Sequence, residues 1–117
     1  LEKIFHTYGV VQGELKKGLL PIEALLSMSP GGSISGCPKK RACEIIHDIE
    51  PYPRGIYTGT IGYILPNGTL NFNIAIRTII QQGNDLTLGV GGGITIDSKI
   101  EDEYNETLAK AASFQPW

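Results

Sequence analysis

The sequence predicts an α+β chain, an antiparallel β-meander packed by helices, and three observations predict it. Runs rich in β-branched and aromatic residues fill Ile56–Leu65, Leu70–Ile80 and Leu86–Asp97. Two turns, Pro66-Asn67-Gly68 and Gln82-Gly83-Asn84-Asp85, separate them at hairpin spacing. Before and after the meander, apolar residues recur every three or four positions, the period of a helix with one buried face.

The elements follow in order. Ile4–Leu15 mixes β-branched, aromatic and polar residues and reads as a strand interrupted by Gly9 and Gly13, with His6 inside it. Leu19-Leu20-Pro21 opens a short helix whose apolar side is Ile22, Leu25 and Leu26, with Pro21 near its first turn. Ser29–Pro38 is a loop dense in glycine and hydroxyls. Behind it, Pro38–Ile49 carries Ala42, Ile45, Ile46 and Ile49 at helical spacing. Glu50–Gly55, with two prolines, breaks this helix and leads into the meander. After Asp97, Ser98-Lys99-Ile100-Glu101 has the spacing of a capping box, in which serine and glutamate side chains satisfy amide donors at a helix start. Ile100, Tyr104, Leu108 and Ala111 are the expected buried stripe of that last helix.

Composition excludes several classes. The chain has 117 residues, 41% hydrophobic and 19% charged, enough for one modest core. A net charge of −2 gives no general basic surface for nucleic acid. No apolar run approaches the roughly 20 residues of a membrane helix, and the start is neither a basic n-region nor an apolar h-region. The first residue is Leu1, which suggests a fragment or a processed chain. Cys37 and Cys43 are the only cysteines. If Pro38–Ile49 is helical they cannot readily pair, and their number suits a reducing cytoplasm. A cytoplasmic protein is therefore expected.

Chemistry concentrates in three places. Gly89, Gly91 and Gly93 alternate, so on a strand they strip one face to backbone, which marks close approach of a ligand or another chain segment. Glu103, Glu106, Thr107 and Lys110 share a helix face at three- and four-residue spacing. Two carboxylates and a lysine there suit a hard cation and an anionic group. Taken alone the same face reads more simply as a solvated surface with a Glu106–Lys110 ion pair. On the middle strand, Leu70, Phe72, Ile74, Ile76 and Ile80 point toward a core, and Asn71, Asn73, Ala75 and Arg77 point away from it. If the polar and small sides of neighbouring strands coincide, Tyr57 and Arg77 flank a floor of glycines. Arginine offers a carboxylate a two-pronged fork and tyrosine a phenolic hydrogen bond, so the combination favours a small anionic ligand. Lys39, Lys40 and Arg41 crowd the positive end of a helix dipole, which reads equally as an anion site behind the glycine loop or as a solvated basic turn. Gly89-Val90-Gly91 continues into strand-like Ile94-Thr95-Ile96, which argues against dinucleotide binding.

Five longer motifs add to this reading: P-G-G-S-I-S-G-C-P-K-K-R-A at Pro30–Ala42, Y-T-G-T-I-G-Y at Tyr57–Tyr63, F-N-I-A-I-R-T at Phe72–Thr78, G-G-G-I-T-I-D-S at Gly91–Ser98 and E-Y-N-E-T-L-A-K at Glu103–Lys110. With them the chain resembles the chorismate-utilising enzymes from about Leu1 to Phe114. P-G-G-S-I-S-G and F-N-I-A-I-R-T look most like the aminodeoxychorismate branch of that family; the anthranilate branch is the second candidate. A non-catalytic small-anion-binding module is a third, of a different class.

The resemblance implies a fold and roles. The meander would belong to the family's larger two-sheet chorismate-binding fold, with residues 1–117 its C-terminal segment. Tyr57 and Arg77 would hold the enolpyruvyl carboxylate of chorismate. Gly91, Gly92 and Gly93 would face bound substrate, and Ser33, Ser35 and Gly36 would line the pocket. Glu106, with Glu103 beside it, would hold Mg²⁺ against the ring carboxylate. Lys110 matches a substrate-side lysine. His6 matches a histidine near the reacting centre, although Thr7-Tyr8-Gly9 stands where the family has L-V-S. The implied reaction is Mg²⁺-dependent amination of chorismate to 4-amino-4-deoxychorismate for 4-aminobenzoate and folate, with ammonia from a glutamine amidotransferase subunit or domain. The family's P-I-K-G-T lysine and its other Mg²⁺-binding glutamate belong upstream of these residues. The chain alone is therefore expected to be inactive or nearly so, and self-association of its exposed strands is expected as well.

Overall fold

A computed structural model describes residues 8–112 and 114 of the chain. The order of elements is α1 (Pro21–Met28), α2 (Gly32–Ser35), α3 (Lys39–Ile49), β1 (Thr60–Ile64), β2 (Leu70–Ile74), β3 (Ile79–Gln82), β4 (Asp85–Leu88) and α4 (Ile100–Ala112). The architecture is α+β with antiparallel strand pairs and flanking helices, as the sequence predicts. The expected three-stranded meander is instead two separate hairpins, β1–β2 and β3–β4.

The first hairpin keeps strict register, with Thr60 opposite Ile74 and Ile64 opposite Leu70. Its turn closes as the sequence indicates: Leu65 N–H donates to Thr69 O at 2.9 Å, and Asn67 Oδ1 accepts from Thr69 N–H at 3.0 Å. Gly68 takes the left-handed conformation this turn demands, φ 83°. Gly62 faces Phe72 across the pair, and a Cβ at Gly62 would lie 2.6 Å from Phe72 Cδ1.

The predicted strand Leu70–Ile80 breaks in the middle. Ala75 donates to Gly59 O and accepts from Thr58 N–H, each at 2.9 Å, which ends the regular ladder. Ile76 N–H then bonds Ile74 O at 2.9 Å, and Arg77 turns left-handed with φ 52° before β3 begins. The core side is corrected too. Ala75, expected on the outward face, is fully buried, while Ile74 and Ile76 are partly exposed. The strand expected over Ile56–Leu65 begins only at Thr60, because 55–58 form a turn.

The strand expected over Leu86–Asp97 ends at Leu88, so Gly89, Gly91 and Gly93 do not alternate on a strand face. The part of the expected N-terminal strand that is described, 8–15, forms no strand with the described residues and is exposed, Val11 almost wholly. His6 lies outside the described residues. α1 and α3 form where expected; Pro21 opens α1, and Leu20 N–H donates to Glu23 Oε2 at 2.7 Å. The loop between them holds the short α2, not anticipated from its glycines. Both thiols are free.

The accessible surface is 10497 Å², whereas a self-contained globule of 12.7 kDa exposes about 6,200 Å². Ala75 is the one fully buried apolar side chain among the described residues. The stripe of α4 expected to be buried is open instead, with Ile100 84% and Tyr104 63% exposed, because no described element covers it. Among the described residues, no helix is long and apolar enough to cross a membrane.

Candidate functional site

A cavity of about 510 Å³ gathers residues from five stretches: Ser33 in α2, the turn around Tyr57, Arg77 at the break between hairpins, the glycine segment, and Glu106 with Lys110 on α4. Sequence reasoning placed the glycines on a strand floor. They line the cavity as irregular backbone, held from two sides. On one side the Tyr57 ring lies against Gly89, where a Cβ would come 2.6 Å from Cδ2, and its hydroxyl lies 2.9 Å from the place a Cβ would take at Gly91. On the other, Lys110 Nζ donates to Gly91 O at 2.9 Å. A side chain at Gly89 or Gly91 would occupy space that Tyr57 uses, and one at Gly92 would crowd the Glu103 carboxylate, whereas Gly93 has open space beside it.

The acidic corner is built from α4. Lys110 Nζ pairs with Glu106 Oε1 at 2.5 Å one helical turn away. Glu103 Oε2 and Glu106 Oε1 both converge on Gly92, at 3.1 and 3.8 Å from where its Cβ would be. The expected capping box does not form, since Ser98 Oγ donates to Glu103 Oε1 at 2.5 Å and accepts from Thr95 N–H at 3.0 Å. The ion pair of the simpler reading is present, and it borders the cavity. Two carboxylates at one corner suit Mg²⁺, which takes one or two protein carboxylates and completes its shell with water and ligand oxygens. Among the described residues no three or more His, Cys, Asp or Glu side chains group to hold a metal.

Sequence reasoning missed the wall opposite this corner. Arg54 grips the Glu50 carboxylate with both prongs, Nε to Oε2 at 2.8 Å and Nη2 to Oε1 at 2.5 Å, and Nη1 donates to Thr58 Oγ1 at 3.3 Å. Hydrogen bonding from Arg54 holds the Glu50 carboxyl below its ordinary range against the upward pull of partial burial, and the bond to Glu50 raises Arg54. Glu50 and Arg54 stand at helical spacing, but α3 ends at Ile49 and Pro51 and Pro53 keep the helix from continuing, so the i, i+4 rule gave no reason to pair them. Thr58 and Arg77, the two non-glycine residues with left-handed backbone among those described, φ 66° and 52°, both border the cavity. Such conformations persist where surroundings over-determine them, most often at functional sites.

Tyr57, Arg77, Gly91, Gly92, Gly93, Ser33, Glu106 and Lys110 are thus brought together. Glu103 is not among the lining residues and, of these glycines, approaches only Gly92. Ser35 is buried and faces an adjoining, mostly apolar cavity of about 450 Å³, while Gly36 is exposed. Of the basic turn, Lys39 bonds Ser27 O at 3.2 Å and Arg41 pairs with Glu44 at 3.2 Å, which favours the solvated reading.

Comparison with known proteins gives the site a context. The family model described as chorismate binding enzyme matches residues 1–116. Aminodeoxychorismate synthase component 1 of Bacillus subtilis (strain 168) is 43% identical over 112 residues, covering 96% of this chain and 24% of the relative. Anthranilate synthase component 1 of Acetivibrio thermocellus is 44% identical over 108 residues, covering 92% and 22%. Probable aminodeoxychorismate synthase, chloroplastic, of Oryza sativa subsp. japonica is 40% identical over 110 residues, 93% of this chain and 12% of the relative. The chain spans about a quarter or less of the length of these curated relatives.

Proposed function

Because this chain belongs to the chorismate binding enzyme family, we propose that it supplies one wall of the chorismate site of an aminodeoxychorismate synthase component I. In this reading residues 1–117 are a C-terminal segment of the catalytic domain. The observation that carries it is the convergence of Tyr57, Arg77, the glycine segment, Glu106 and Lys110 on one cavity.

Each residue has a physical task. Arg77 and Tyr57 hold the enolpyruvyl carboxylate, arginine by its fork and tyrosine by its hydroxyl. The bare backbone at Gly91, Gly92 and Gly93 lets the ring approach closely, which fixes its orientation. Lys110 binds the Gly91 carbonyl, so it keeps the glycine segment in place while presenting positive charge to an anionic substrate. Glu106 and Glu103 are the residues that would hold Mg²⁺, which supplies electron withdrawal through the ring carboxylate as the C4 hydroxyl departs. His6 is assigned to the reacting centre by its sequence position alone. Ammonia comes from a glutamine amidotransferase partner.

The P-G-G-S-I-S-G and F-N-I-A-I-R-T motifs favour the aminodeoxychorismate branch. Identities of 42% to 44% to anthranilate synthases keep that branch as the second reading. With no group of three or more metal-ligating side chains among the described residues, the chain is expected to bind chorismate at best and to turn over little or none.

Calorimetric titration of chorismate into the chain, with and without Mg²⁺ and again in Arg77→Ala, tests the reading. Mg²⁺-dependent binding lost in Arg77→Ala supports it. Binding indifferent to Mg²⁺ favours a small-anion-binding module. Rapid turnover would overturn the expectation of inactivity, and anthranilate as the product would select the second branch.

A further inference from the structure

Between the two cavities stands a three-residue relay, Glu50, Arg54 and Thr58. Arg54 is clamped by Glu50 and reaches Thr58 Oγ1. Thr58 is β-branched yet left-handed at φ 66°, a conformation such residues avoid because the branched Cβ crowds its own backbone. Around it the chain is tied down at each step. Tyr57 N–H donates to Arg54 O at 3.1 Å, Gly59 N–H donates to Ile56 O at 2.9 Å, and Thr58 N–H donates to Ala75 O at 2.9 Å. The residue immediately before Thr58 is Tyr57, whose ring lies on Gly89 and whose hydroxyl lies by Gly91.

We infer that Glu50 and Arg54 are positioning residues: they hold Thr58 in its left-handed conformation and thereby seat the Tyr57 ring on the glycine segment of the cavity. The reason is geometric. If Thr58 relaxed to φ below zero, the chain direction at the turn would change and Tyr57 would leave Gly89. Arg54 supplies the side-chain donor that keeps Thr58 Oγ1 in place, and Glu50 fixes the guanidinium by both prongs, leaving its third direction for the threonine. Lysine has no planar fork, so it cannot hold the carboxylate by two parallel prongs and reach the threonine in the same geometry. The relay also joins the two ends of the turn, since Arg54 accepts from Tyr57 through its backbone while binding Thr58 through its side chain. The consequence for chorismate rests on the reading proposed above; the seating of Tyr57 does not.

The test uses three variants of the whole chain: Arg54→Lys, Thr58→Gly and the two combined. The direct readout is the ring-current shift of the Gly89 Hα protons in glycine-labelled protein, which reports the Tyr57 ring whether or not any ligand binds. In the unaltered chain those protons are expected upfield, because Gly89 lies against the Tyr57 ring. The shift is expected to be lost in Arg54→Lys and kept in Thr58→Gly, because glycine adopts positive φ freely. It is expected to return in the double variant, where nothing needs to hold position 58. A shift unmoved by Arg54→Lys overturns the inference. So does a shift lost there and not restored by Thr58→Gly, which would make Arg54 a merely structural residue. Chorismate affinity that follows the same loss and recovery supports the link to the site. Absence of chorismate binding in the unaltered chain counts against the proposed function alone, and the Gly89 shift still decides the positioning role.

Discussion

The Tyr57 ring occupies the space a side chain at Gly89 would need, with Cδ2 only 2.6 Å from where the Cβ would be. A methyl group there displaces the ring or bends the glycine segment. Gly89→Ala is therefore expected to cost about 1–3 kcal/mol of stability, the usual penalty for overpacking. Chemical denaturation would measure it, and calorimetry should show weakened chorismate binding in the same variant.

Gly62→Ala makes a useful contrast. Its Cβ would collide with Phe72 across the first hairpin, away from the cavity. A stability loss of similar size, about 1–3 kcal/mol, is expected. Per folded molecule, chorismate affinity should stay unchanged.

Lys110 and Glu106 give a prediction of opposite signs. Lys110→Met removes the cation that occupies Glu106 Oε1 and the donor to Gly91 O. Mg²⁺ affinity should rise, because the carboxylate loses its competing partner, while chorismate affinity should fall. A Mg²⁺ titration of the variant that shows weaker binding would argue against Glu106 as a metal ligand.

The Glu50–Arg54 fork sets a pH dependence. The folded carboxyl titrates below its ordinary range because Arg54 donates to it. Its stabilising contribution is complete above the ordinary glutamate range and is lost as pH falls through the lowered folded value. Arg54 keeps its charge throughout that window. Denaturation midpoints followed from neutral pH down to about pH 3 should decline, and Glu50→Gln should remove the part of the decline that belongs to this pair.

The uncovered face of α4 predicts association. Ile100, Tyr104 and Leu108 on the helix, and Ile96 just before it, are all exposed, and apolar patches of this kind mark interaction surfaces. The purified chain should self-associate in sedimentation experiments. Ile100→Glu combined with Leu108→Glu should shift it toward monomer.

Much of this was legible in the sequence where local chemistry decides. Asn67-Gly68 and Gly83-Asn84 forced their turns, and Pro21 and Pro38 marked helix starts. Glu103, Glu106 and Lys110 fell on one face because helical spacing is rigid. The failures share a cause, which is that distant partners decided them. Gly89–Gly93 was read as a strand from its alternation, but Tyr57 and Lys110 claim the space and the carbonyl a neighbouring strand would use. Ser98 had capping-box spacing to Glu101, yet its hydroxyl serves Glu103. The Leu70–Ile80 run was apolar enough to continue as one strand, and the bonds of Ala75 to Thr58 and Gly59 stopped it. Glu50 and Arg54 were invisible because two prolines hid a helical spacing outside a helix.

The cavity also has a history in time. The Lys110–Gly91 bond joins residues 19 apart, so α4 and the glycine segment can meet early in folding, at little cost in loop closure. Tyr57 must come from much farther along the chain, through both hairpins, before it can settle on Gly89. Its contact with Gly89 is expected to form after the hairpins that lie between the two residues, and slowing the turn at Thr58 should delay the maturation of the binding surface without delaying the hairpins themselves.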